Sequence, residues 1–250
     1  MRSLVKADMK RIMVKILPWL LLAAAYAYMA VSLITGIDTS PDRNFAFLQK
    51  VVERTSMVNL IIGFAALLGI YGDEFKSMAM ITVIGKGLTR AKFVFAKFID
   101  TLILVALMTG ITAIYVVILK NALGVTLNGT ETGFLINMFI FNSIELVMFV
   151  TIASIFYFLS ENAAVGLFAY LAFMQIIPVT LTFAKMLSPW FANHKLDKLY
   201  VSGLISTVSS NLIIGDIVGA FLVILPTIAV YIGGALLINI LVFSRKELDF

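Results

Sequence analysis

Six long apolar runs, at about residues 17–37, 57–72, 98–119, 134–159, 163–184 and 217–243, are separated by shorter polar segments. These runs limit the fold more than any other feature. About 20 apolar residues in a helix cross the hydrocarbon core of a bilayer, where each backbone polar group must be satisfied within the protein. Composition agrees: 61% of the residues are apolar and 13% are charged, against roughly 45–50% and about 25% in soluble domains. The expected fold is an all-α membrane protein, a single transmembrane domain over residues 1–250 with six transmembrane helices. Six spans use roughly half of the chain and the connections use the rest, which leaves little for a separate soluble domain.

The segments between the runs have characters of their own. Residues 2–15 alternate Leu4, Val5, Met9, Ile12 and Met13 with Arg2, Lys6, Lys10, Arg11 and Lys15 at a helical period, which predicts an amphipathic helix lying on the inner leaflet. No small-residue cleavage site follows it, so this segment is expected to be retained. Pro18 and Trp19 suit a bend and an interfacial ring at the start of the first span. Residues 38–55 are polar and are placed outside, with a short helix at the membrane surface suggested by Phe45, Phe47 and Leu48. Gly63 and Gly69 should let a neighbouring helix approach the second span closely. Ser160, Glu161 and Asn162 form the tightest connection, and Pro178, beside Gln175, should kink the fifth span. Between the fifth and sixth spans, residues 185–215 mix Trp190, Leu199 and Tyr200 with Lys195, Asp197 and Lys198, and short re-entrant or surface helices on the outer side are expected.

Residues 73–97 combine Asp73, Glu74, Lys76, Lys86, Arg90, Lys92 and Lys97 with Phe75, Met78, Met80, Ile81, Val83, Ile84 and Leu88. The stretch is too apolar for a solvated loop and too charged for a span, as suits an element lying along an interface. With both termini inside, this corner falls on the inner side, and twelve of the 19 lysines and arginines lie there. That excess follows the positive-inside rule and puts the corner in the cytoplasm. The net charge of +5 is spread over short loops, so it reflects topology and lipid head groups, and no nucleic-acid partner is expected.

Most catalytic chemistry lacks its residues. The chain has no cysteine and one histidine, His194, which together disfavour thiol catalysis and a conventional metal site. A G-x-S-x-G elbow is absent, and Gly85-Lys86-Gly87 only imitates part of a phosphate-binding loop. Asn128-Gly129-Thr130 matches a glycosylation acceptor formally, and Gly215-x-x-x-Gly219 has the spacing of a helix-pairing motif. Asp100 and Asp216 lie near span ends, where snorkelling or a helix N-terminus accommodates an acid. Glu145 lies midway along the fourth span, where an ionisable group is costly and should face the bundle interior or a wet cavity. Asn142, about one turn earlier, is placed to hydrogen-bond with it. The pair forms a possible intramembrane polar site, structural or functional.

The run from Glu74 through Arg90 to Lys97 resembles the ABC-2 type permeases of bacterial ATP-binding cassette transporters. In that family an acid leaves the second span, a short helix follows, and an arginine and a lysine seven residues apart open the third. The basic N-terminal helix, the six spans and the broken segment before the last span are similar too. Where many members carry Gly-Thr after the acid this chain has Ser77-Met78, and Gly85-Lys86-Gly87-Leu88-Thr89 stands where a proline often precedes the arginine. The resemblance implies a permease subunit in the bacterial plasma membrane that binds no cofactor itself, with ATP and Mg held by a separate ATPase present in two copies. That ATPase would dock on a cytoplasmic coupling helix between the second and third spans, with Asp73, Glu74, Phe75, Lys76, Arg90 and Lys97 as coupling residues. A second permease subunit, identical or related, would complete the pathway among membrane lipids, along faces of the first, second and fifth spans. The 20 Phe and 12 Met suit an amphipathic or lipid-like cargo, and the compact, Lys-rich, cysteine-free type is similar to permeases exporting antimicrobial or toxic peptides or conferring immunity to them. An ion- or proton-coupled secondary transporter using Glu145 is the alternative.

Overall fold

The computed structural model describes residues 2–38, 42–72, 79–85 and 87–245. Helices form nearly all of it, and among the described residues there is no β-strand. Six helical segments are long and apolar enough to cross a membrane: Ile16–Ile37, Arg43–Ile70, Arg90–Ala122, Gly129–Ser160, Ala163–Leu187 and Ile217–Arg245. The chain is therefore an all-α, multi-pass membrane protein.

In chain order, α1 (Arg2–Val14) precedes the first span, α2 (Ile16–Asp38), with only Lys15 between them. The second span is α3 (Arg43–Ile70), and a short α4 (Ala79–Gly85) leads to the third, α5 (Arg90–Ala122). The fourth span is α6 (Gly129–Ser160), and the fifth comprises α7 (Ala163–Leu171), a π-helical turn and α8 (Ile177–Leu187). Short helices α9 (Pro189–His194), α10 (Leu196–Leu199) and α11 (Val201–Ile213) follow. The last span joins α12 (Ile217–Ile228) and α13 (Gly234–Arg245) through a second π-helical turn. Alternate helices run in opposite directions between a near end, holding α1, α4 and the end of α13, and a far end, holding the α2–α3, α5–α6 and α11–α12 connections.

Local chemistry sets the helix starts. Asp42, Thr89, Asn128, Asn162 and Asp216 each cap a helix with a side-chain oxygen, and a cap of this kind is worth about 1 kcal/mol. Asn128 belongs to a full capping box with Glu131, so the side chain in the formal glycosylation motif is engaged in starting the helix. Asp216 accepts from the Gly219 amide at 2.8 Å, as expected of an acid at a helix N-terminus. Gly215 takes φ +83° in the turn before it, and Gly219 sits against Asp216 and Asn211, so these glycines build a turn and a cap.

Three expectations are modified. The second long helix starts at Arg43, about four turns before the apolar run begins at Met57. Its polar first turns are held to the neighbouring elements: Arg43 and Asn44 donate to the carbonyls of Leu123 and Thr126, and Arg54 donates to the Ser32 hydroxyl at 2.7 Å. Lys50 and Arg54 also pair with Glu53. At Pro178 the fifth span widens into the π turn Ala172–Ile176, where the Ile177 amide reaches back to the Ala172 carbonyl. A proline removes one N–H and crowds the carbonyl four residues earlier, and a π turn accommodates both. Asp100 is wholly buried, because α5 begins ten residues before it and carries it inside the bundle.

Helix contacts are close where small residues permit. The Tyr170 ring lies so near Gly63 that an added Cβ there would stand 2.0 Å from it, and the Tyr170 hydroxyl donates to the Asn59 carbonyl at 2.9 Å. A Cβ added at Gly69 would stand 3.3 Å from Ile12 of α1, closer than most side chains pack. The segment after α8 turns back into the bundle: the Tyr200 hydroxyl donates to the Phe173 carbonyl, and the Tyr200 ring lies 6.1 Å from that of Phe149. Phe173 and Phe149 both belong to spans, so α10 and α11 form a re-entrant element. From Tyr200 at span depth, α11 returns along α6 to Leu212 at the far end.

Candidate functional site

The expected site residues that are described fall in two places, one at the near end and one inside the bundle. Of the expected coupling residues, Asp73, Glu74, Phe75 and Lys76 lie outside the described residues. The described part of the corner is α4, with Met80 buried and Val83 and Ile84 half-buried, followed by Gly87 at φ +92° and the Thr89 cap of α5. The positive φ at Gly87 is a conformation that side chains rarely adopt, and the amides of Gly87 and Leu88 donate to the carbonyls of Ile84 and Val83, which closes α4 before α5 begins.

Arg90 and Lys97 make contacts within the chain. Arg90, the first residue of α5, donates to the carbonyls of Phe243 and Ser244 at 3.1 and 2.8 Å. Its guanidinium thus satisfies carbonyls at the end of the last helix, where a cation also complements the helix dipole. Lys97 is wholly buried and donates to Asp8 of α1 at 2.7 Å, and Arg11 approaches the other Asp8 oxygen at 3.3 Å. The Lys97 ammonium also lies 5.2 Å from the centre of the Phe93 ring. The first two turns of α5 therefore bind both ends of the chain to the corner, α13 through Arg90 and α1 through Lys97. Asp8 was not distinguished by sequence, because an acid in a basic amphipathic helix reads as part of its wet face.

Inside the bundle, the structure brings Asn142 and Glu145 to one cavity of about 330 Å³, lined by α3, α6, the π turn and first residues of α8 in the fifth span, and the start of α11. Ser56, Asn59, Gln175 and Ser202 supply further polar side chains, and Phe149, Met138 and Met174 supply apolar wall. The expected Asn142–Glu145 hydrogen bond is not formed among the described residues; the two share the cavity, and the Ser202 hydroxyl faces the Glu145 carboxyl. Asn59 is 6% exposed, and its side-chain oxygen has no hydrogen-bond partner among the described residues. The cavity is rich in acceptors and has one acidic side chain and no basic one among its lining residues. An ionised carboxylate at membrane depth is expensive without a cation beside it.

A second cavity, of about 730 Å³, continues the same groove toward the far end, and Val52 lines both. Its walls come from the first turns of α3 and α6 and from Leu212 of α11. Asn59, Ser56 and Ser202 were missed by sequence reading for separate reasons. Asn59 and Ser56 sit at the edge of an apolar run, where polar side chains are ordinary. Ser202 joins Glu145 only because the re-entrant segment descends beside α6.

The single histidine is accounted for locally. His194 Nδ1 lies 2.8 Å from the Trp190 carbonyl, and its ring stacks on that of Trp190. Among the described residues no group of three or more His, Cys, Asp or Glu is arranged to hold a metal. Neither protein-family models nor curated proteins give a match to this chain.

Proposed function

We propose that this chain is the permease subunit of an ATP-driven exporter in the bacterial plasma membrane, moving an amphipathic or lipid-like cargo, a peptide by preference. A separate ATPase, in two copies, docks at residues 73–90 and holds the ATP and Mg. A second permease subunit, identical or related, completes the pathway, and neither nucleic acid nor a bound cofactor has a part. The chain has no nucleotide-hydrolysing motif of its own. It is a transmission and conduit, not an enzyme.

The observation that carries this reading is the linkage at the near end. A force applied at the corner between α4 and α5 reaches α13 through the Arg90 contacts and α1 through the buried Lys97–Asp8 pair. A corner tied in this way moves several helices together, as rigid-body reorientation requires. Lys97, being buried, acts as a positioning residue that fixes α1 against α5; the docking surface belongs to residues 73–90.

Co-expression with an ATP-binding-cassette ATPase of the same genome tests the proposal. The two chains are expected to co-purify, and cargo transport in proteoliposomes should depend on ATP. Glu74→Ala and Arg90→Ala should each reduce transport at least tenfold while ATP hydrolysis and membrane insertion persist, since a loss of about 1.4 kcal/mol in coupling is a factor of ten. Unchanged transport in both variants would show that the corner only sets topology. The oxygen-lined cavity at Glu145 favours a second reading, an ion- or proton-coupled secondary transporter using Glu145. Transport by the chain alone, driven by an ion gradient without ATP, would establish that reading over the first.

A further inference from the structure

We infer that the groove between α3, α6 and α11 binds an amphipathic organic cation, its ammonium group beside Glu145 and its apolar chain in the far-end cavity. This deepens the export reading by naming the class of cargo, and it rests on that reading only for the cargo being carried. Charge is the first argument. Among the described residues, Glu145 and Glu131 are the only charged ones lining the two cavities. They stand 14 positions apart on nearly one face of α6, about 21 Å along its axis. Bases are plentiful at this end, yet those nearby are engaged elsewhere. Arg43 bonds to the Leu123 carbonyl, Lys50 and Arg54 pair with Glu53, and Lys185 pairs with Asp197. The groove therefore keeps an acidic character that a cation complements.

Hydrogen bonding is the second argument. The Asn59 side-chain oxygen is buried at the cavity wall with no partner among the described residues. A buried acceptor left unmade is costly, and an ammonium carries donors for it and for Glu145 at once. Size and lining are the third. At about 330 Å³ the inner cavity far exceeds the roughly 30 Å³ that one water occupies, so a bare alkali ion would leave it mostly to solvent. The outer cavity, about 730 Å³ with Phe45, Leu48, Val52 and Phe134 in its wall, lies within the usual range of ligand sites. Phe149, Met138 and Met174 around the inner cavity are soft, polarisable neighbours for an alkylammonium.

The test is direct binding to the purified chain alone in a neutral maltoside detergent, with dodecylammonium as probe and 1-dodecanol, dodecyl sulfate and sodium chloride as comparisons. Dodecylammonium should bind about tenfold or more tightly than dodecanol, the scale of one charge-assisted contact, and dodecyl sulfate more weakly than either. Glu145→Gln should abolish the preference for the ammonium over the alcohol while dodecanol binding persists. Gly133 lines the outer cavity, and a Cβ there meets nothing within 4 Å, so Gly133→Leu should fold and weaken dodecylammonium without affecting butylammonium. Equal binding of ammonium and alcohol in the wild type would overturn the inference whatever the variants do. So would a preference that survives Glu145→Gln, or sodium chloride displacing the probe at equal concentration. Since no ATPase takes part, a failure here leaves the coupling proposal standing, and a failure of coupling leaves binding intact.

Discussion

The buried Lys97–Asp8 pair shows how one residue can change its reading between sequence and structure. In the sequence Lys97 is one more cation in a charged corner; in the structure it is wholly buried and committed to α1. Breaking a buried pair by removing one partner costs about 3–5 kcal/mol, whereas replacing both by apolar groups is often neutral or stabilising. The two single changes should not be equal. Lys97→Met leaves Asp8 beside Arg11 at 3.3 Å, so its cost belongs at the low end. Asp8→Leu removes the 2.7 Å acceptor of a wholly buried lysine and belongs at the high end, and the double variant should recover most of the loss. Thermal unfolding in detergent checks the order. If Lys97 touched the ATPase directly, the double variant would regain stability without regaining ATP-driven transport.

At the scale of elements, the spans were legible because membrane helices leave an apolar record about 20 residues long. The helix ends were less so. The polar start of α3 reads as a loop until Arg43, Asn44 and Arg54 are seen to bond to the α5–α6 connection and α2. The corner motif was legible only as residue types, since Arg90 and Lys97 reach Phe243, Ser244 and Asp8, each far away in sequence. Glu145 was legible as an anomaly in a span, but its companions Asn59 and Ser202 required the register of three helices. The re-entrant segment was expected in outline, and one of its fastenings can be tested. Lys185 at the end of the fifth span donates to Asp197 of α10 at 2.7 Å, and this bond holds the Asp197 carboxyl below the usual carboxylate range. A group with a depressed folded pKa contributes stability above its unfolded value, about 3.9, and loses it as pH falls through the folded value. Hydrogen-exchange protection of α10, corrected for intrinsic rate, should therefore hold at neutral pH and decline below about pH 4. Asp197→Asn should have the low protection throughout and show no such decline. A decline that survives this change would place the titrating group elsewhere.

At the scale of the whole molecule, the spans divide into a core and a periphery. The most hydrophobic stretches of α3 and α6 are 50% and 56% buried, while those of the fifth and sixth spans are 17% and 11% buried. Phe168, Phe183, Val218 and Leu222 are among the large side chains left exposed on those outer spans, as expected of surface that meets lipid or a second membrane subunit. Such surface fixes which way the helices lie in a bilayer but not which end faces the cytoplasm. Charge decides that. Arg2, Lys6, Lys10, Arg11, Lys15, Arg90, Lys92, Lys97 and Arg245 stand at the near end, and the seven other described bases stand toward the far end. The three bases outside the described residues, Lys76, Lys86 and Lys246, adjoin near-end helices in sequence. Positive residues near span ends are retained on the cytoplasmic side, so the near end, with the corner and α1, is expected inside. The absence of cysteine makes this simple to measure with single cysteines. Gly124→Cys is at a far-end turn, and since its φ is +63° the neighbouring Asn121→Cys is the safer companion; Lys15→Cys marks the near end. A membrane-impermeant maleimide added to intact cells should label the far-end cysteine and spare Lys15→Cys until the membrane is opened. The reverse pattern would put the α4–α5 corner outside, beyond the reach of any cytoplasmic ATPase, and would remove the coupling proposal while leaving the binding groove open to test.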